Sequence, residues 1–126
     1  MLKKFPKIVV LAVLALVIFC AGIITANIFR HNSPIVTVRL QNASAQKILS
    51  VHLEHEHGSL SVTNIDPGGL REVYFSVPGE SSYQIQVAFS DGRTITGGAG
   101  YVESGYRVTE VITNATIKSD YQLYAP

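Results

Sequence analysis

Cysteine is nearly absent: of 126 residues only Cys20 is one, and it lies inside an apolar run. The rest of the chain can therefore form no disulfide of its own. Small secreted eukaryotic domains usually depend on disulfides, so this absence points to a bacterial protein. Tryptophan is missing and the single methionine is Met1, so no sulfur ligand for a metal lies beyond residue 20. Acidic residues are missing from the first 53 positions, where Lys3, Lys4, Lys7 and Arg30 precede or flank the apolar run. Beyond His31, nine acids meet six bases, a formal charge of −3. Those bases are scattered, and phosphate binding needs clustered Lys and Arg. Nucleic acid is excluded as a partner. The length is enough for one domain.

The run Ile8 to Phe29 holds no charged side chain. As a helix it would reach about 33 Å, against a hydrocarbon core of about 30 Å. Three lysines stand before it, so the positive-inside bias predicts a cytoplasmic N-terminus. The expected layout is a basic tail at 1–7, a transmembrane helix at 8–29, a linker at 30–34 and an exported domain at 35–126. A cleaved signal peptide is the competing reading, with a cut after Gly22 or Ala26. Either way the localisation expected for the domain is periplasmic, and a single-pass, signal-anchored protein of a bacterial inner membrane is favoured.

From Pro34 onward the period is two, the spacing of one strand face. Val36, Val38 and Leu40 alternate with polar residues, as do Leu49, Val51 and Leu53, then Val73, Phe75 and Val77. Tyr83, Ile85, Val87 and Phe89 form the clearest set. Shorter strands are expected around Leu60 and Val62, at 93–96 and at 106–112, and a last edge strand or tail from Ile117. Asp66-Pro-Gly-Gly69 and Pro78-Gly79 supply turns. Asp91-Gly92 suits a type I′ hairpin. The fold class expected is all-β: a small immunoglobulin-like β-sandwich of about seven strands after one transmembrane helix. Tyr106 is placed for a tyrosine corner, its hydroxyl bonding upstream backbone.

Two constellations stand out. In His52-Leu-Glu-His-Glu-His-Gly58, a strand would point His55 and His57 to one side and His52 to the other. Imidazoles two positions apart can chelate copper or zinc, although a third ligand must come from elsewhere. The bland reading leaves these imidazoles in solvent, or packs His55 on the apolar face. In Gly97-Gly-Ala-Gly-Tyr-Val-Glu-Ser-Gly-Tyr106, the missing Gly-Lys-Ser/Thr ending excludes a phosphate loop. Gly98, Gly100, Tyr101 and Glu103 could instead form a protein-contact loop, glycine allowing close approach and tyrosine supplying area. A bulged connection whose tyrosines pack on their own domain explains the same residues. Asn42-Ala-Ser44 and Asn114-Ala-Thr116 fit the glycosylation pattern.

No catalytic residue is assigned, since no Gly-x-Ser-x-Gly elbow and no exported thiol occur. The expected function is a membrane-anchored, non-enzymatic protein-interaction module, with the lipid bilayer and another envelope protein as partners. It needs no cofactor. A copper- or zinc-binding domain using His55 and His57 is the alternative, and a small envelope enzyme the third possibility.

Overall fold

The structure is a computed structural model that describes residues 7–31 and 34–122, with helix side chains described from Lys7 to Gly22. The chain divides into two compact units, Met1–Ser33 and Pro34–Pro126. The first contains helix α1, Lys7–His31.

The second unit is built from strands β1 (Ile35–Asn42), β2 (Ile48–His55), β3 (Gly58–Ile65), β4 (Leu70–Ser76), β5 (Glu80–Ser81), β6 (Tyr83–Phe89), β7 (Thr94–Gly97), β8 (Val102–Glu103), β9 (Arg107–Ile112) and β10 (Ile117–Gln122). One four-stranded sheet runs β10-β9-β1-β4, another β3-β2-β6-β7, and β5 pairs with β8. Side-chain alternation explains the layering. Val36, Val38 and Leu40 of β1 and Val108 and Ile112 of β9 are buried on one sheet. Val51 and Leu53 of β2 and Ile85, Val87 and Phe89 of β6 are buried on the other, and all belong to one core. Fully burying such a side chain stabilises by about 1.5–3 kcal/mol. The edge-to-face contact of Phe75 on β4 with Tyr83 on β6, 5.7 Å between centroids, joins the two sheets across that core.

Several expectations are corrected here. Side chains of α1 are described only as far as Gly22, and at about 1.5 Å per residue the Lys7–Gly22 stretch reaches about 24 Å. Among the described residues no helix is long and apolar enough to cross a membrane. The transmembrane helix at 8–29 therefore falls, and with it the signal anchor, the single-pass topology, the cytoplasmic N-terminus and the periplasmic localisation.

The immunoglobulin-like arrangement is corrected as well. An immunoglobulin constant domain keeps its first two strands in one sheet; here β1 and β2 belong to different sheets. β1 pairs antiparallel with β4 but parallel with β9, Thr37 opposite Arg107. Among the described residues the fold is thus mostly β-sheet, with a mixed sheet and ten strands. Alternation reports which face a residue takes and is blind to its neighbouring strand, which is why the pairing was illegible.

Local details also differ. Ile48 is buried while Leu49 is 47% exposed, because the β2–β6 register shifts between Ile48 and Ser50. A bulge there reverses which residue points inward. At the β6–β7 turn only Gly92 has positive φ (87°), not Asp91. Gly92 N–H donates to Phe89 O at 3.1 Å, and Phe89 N–H to Arg93 O at 2.9 Å. This is a three-residue loop ending on a left-handed glycine, rather than a type I′ turn.

Candidate functional site

The end of the β3-β2-β6-β7 sheet carries an open cleft of about 830 Å³. Glu54, His55 and Glu56 line one side, Ser82 to Gln84 the floor, and Thr96 to Gly100 the other side. β6 is the central strand between them, so the register His55 opposite Tyr83 brings the histidine-rich turn and the glycine-rich connection together. Sequence spacing separates these two constellations by about forty residues; the sheet makes them neighbours.

The histidines themselves are not brought together as the strand geometry predicts. β2 ends at His55, and Glu56-His57 form the turn into Gly58. His57 therefore does not lie on a strand two positions from His55. The His55 ring stacks on Phe75, 4.5 Å between centroids at 15°. Its Nδ1 accepts the His57 backbone N–H at 3.4 Å. His52 lies on the outer face, its Nδ1 hydrogen-bonded to Ser61 Oγ at 2.9 Å. That Ser–His pair is exposed, and no carboxylate bonds His52 among the described residues. No group of three or more His, Cys, Asp or Glu that could hold a metal occurs among the described residues. The side chain of His31 lies outside those described.

The glycine-rich connection divides into two parts. A Cβ on Gly98, whose φ is +125°, would stand 2.7 Å from Tyr83 O. A Cβ on Gly97 would stand 2.8 Å from Ile117 Cβ on β10. These two glycines let the connection lie directly on the domain's own strands. Gly100, by contrast, meets nothing within 4 Å. Tyr101 is 41% exposed, and its hydroxyl donates to Glu103 and reaches Glu80 at 3.3 Å. Glu80 and Glu103 face each other across the β5–β8 ladder. The hydrogen bond to Glu103, with burial and the charges of Glu103 and Glu80, holds the Tyr101 hydroxyl well above the usual tyrosine range. Tyr106 packs edge-to-face between Tyr101 (6.1 Å) and Tyr121 (6.4 Å). No hydrogen bond from its hydroxyl is found among the described residues, so the tyrosine-corner bond is replaced by ring packing.

Sequence reasoning missed two polar centres. Glu110 is fully buried on the inward face of β9 between Val108 and Ile112. It accepts from the Tyr83 hydroxyl at 2.5 Å and from Ser119 Oγ at 2.9 and 2.8 Å. Burial, followed by the Glu110 charge and hydrogen bond, pushes the Tyr83 hydroxyl far above the usual tyrosine range. The signal was present: Glu110 occupies an inward position in the alternation Val108-Thr-Glu-Val-Ile112. Asn42 is the second centre and is also fully buried. Its Nδ2 donates to Gln46 O and Ile65 O, and its Oδ1 accepts from Ser44 N–H and Oγ. An amide so placed is not open to glycosylation in the folded domain, whereas Asn114 is exposed.

The sheet edges differ in character. β7 is approached by β10 through Gly97 and Ile117. β4 carries Arg71 and Glu72, and Glu72 is engaged by Arg39 at 3.1 Å and by the Tyr74 hydroxyl at 2.7 Å. β3, Gly58-Ser-Leu-Ser-Val-Thr-Asn-Ile65, has β2 on one side and no strand on the other among the described residues. It contains no charge and no proline.

No protein-family model matches the chain. No curated protein matches it either. Among solved structures, an NMR structure of a protein from Eubacterium rectale is similar, with a TM-score of 0.50 at 16% identity, over 70% of this chain and 88% of that one. A likeness at that identity speaks to the fold alone.

Proposed function

We propose that the Pro34–Pro126 unit is a non-enzymatic protein-interaction domain that accepts an extended segment of a partner chain along the free edge of β3. The observation that carries this reading is the undefended state of that edge. Sheet proteins usually blunt edge strands with lysine, proline, a bulge or a covering segment. None of the first two occurs in the eight residues of β3, while the β4 edge is charged and β7 lies against β10. An added strand would satisfy the outward backbone N–H and C=O groups, giving affinity, and its alternate side chains would give selectivity. The contact loop anticipated at Gly98, Gly100, Tyr101 and Glu103 is less favoured, since Gly98 serves the domain's own packing.

The test is capture with the full chain and crosslinking, comparing wild type with Ser61→Pro, which removes a backbone donor on an exposed edge residue. Loss of a partner on Ser61→Pro, with retention on Gly100→Ala, supports the edge. An unchanged partner set with Ser61→Pro and with Val62→Pro sinks it.

A further inference from the structure

We infer that the occupant of the β3 edge is β3 of a second copy of this chain, paired antiparallel about a two-fold axis at Ser61. This rests on the reading of β3 as an accepting edge and names its partner.

Three observations lead there. The first is self-complementarity. In an antiparallel pair centred on Ser61, Leu60 faces Val62 of the other copy twice, and Ser59 faces Thr63 twice. Apolar pairs on one face and hydroxyl pairs on the other are the combinations that stabilise neighbouring strands. A two-fold interface requires this reciprocity, residue i meeting j and j meeting i.

The second is charge. Only the residue on a two-fold axis meets its own copy, so an uncharged strand can pair with itself in any register without setting like charges together. β3 alone among the long edge strands is uncharged; β4 contains Arg71 and Glu72, and β10 contains Lys118 and Asp120.

The third is incomplete burial. Leu60 and Val62 point toward the core yet remain half-buried, packed against it from the rim. The next strand of a continuous sheet would cover them. Gly58 and Asn64, the latter at φ +57°, bound the regular stretch and limit pairing to the five residues between them.

Charge exchange at the axis tests this. Ser61 is exposed, so Ser61→Lys and Ser61→Glu leave the core intact, and circular dichroism checks that each variant folds. Sedimentation of the full chain is expected to give a concentration-dependent dimer for wild type. Each charged variant alone should raise the dimer dissociation constant about tenfold or more, because two like charges meet at the axis. An equimolar mixture of the two variants should recover association as a mixed dimer. No loss for either variant, or no recovery in the mixture, overturns the self-pairing. Should Ser61→Lys abolish capture of a different protein while wild type sediments as a monomer, the accepting edge stands and the second copy is excluded.

Discussion

The buried pair Tyr83–Glu110 gives the sharpest quantitative expectation. Glu110 has no exposure at all and accepts from two hydroxyls, that of Tyr83 and that of Ser119, the latter shared between both carboxylate oxygens. Replacing Tyr83 by Phe keeps the ring, its contact with Phe75 and nearly all its volume. It removes one bond to a carboxylate, an interaction of about 1.5–3 kcal/mol. Glu110 then keeps only Ser119 as donor, so the larger end of that range is expected, about 2–3 kcal/mol. For a unit the size of Pro34–Pro126 each kcal/mol lowers Tm by about 4–8 °C, so a drop of about 10–20 °C should follow. Urea unfolding checks it, with the midpoint falling and the m-value unchanged. The pH dependence adds an independent sign. The Tyr83 hydroxyl ionises later in the folded state than in the unfolded chain, whose value is near 10.0. Its contribution is therefore complete below about pH 10 and declines as pH rises further, by about 1.4 kcal/mol per unit. Tyr83→Phe should flatten that alkaline decline. A midpoint within about 0.5 kcal/mol of wild type, or an unchanged alkaline slope, would refute the reasoning.

Asn42→Ala removes four side-chain hydrogen bonds at a fully buried site and should destabilise by about 2–4 kcal/mol, read by the same urea midpoint. Gly98→Ala combines a left-handed backbone with a 2.7 Å contact and should lose about 2–4 kcal/mol. Gly100→Ala, with open space around it, should stay within about 0.5 kcal/mol. Zinc or copper titration should give the same isotherm for wild type and His55→Ala/His57→Ala, because His55 is stacked on Phe75 and His57 is a turn residue; a tighter wild-type site would restore the metal reading.

What the sequence disclosed follows from what a strand pattern encodes. The inward set Tyr83, Ile85, Val87 and Phe89 was legible because β6 is central and strictly alternating. Leu49 misled because a bulge lies beside it, and a bulge changes phase without changing composition. Asn42 reads as an ordinary polar residue, since its burial depends on a partner far along the chain, Ile65, whereas Glu110 shows its inward phase in the alternation and hides only its partner Tyr83. The cleft was half legible: both of its walls drew attention from composition, but only the β2–β6 register sets them opposite each other. The length of the apolar N-terminal run overstated what the described helix supports.

The parallel pairing of β1 with β9 has a kinetic consequence. β1 is the first strand of its sheet to be synthesised, yet Thr37 must wait for Arg107 before the pair can close. Closing so long a loop is slow, because its entropy is lost before the contact rewards it. The β3-β2-β6-β7 sheet needs nothing beyond Gly97. On an emerging chain that sheet can assemble first and present the face on which the other closes. The β3 edge would then exist before the domain is complete.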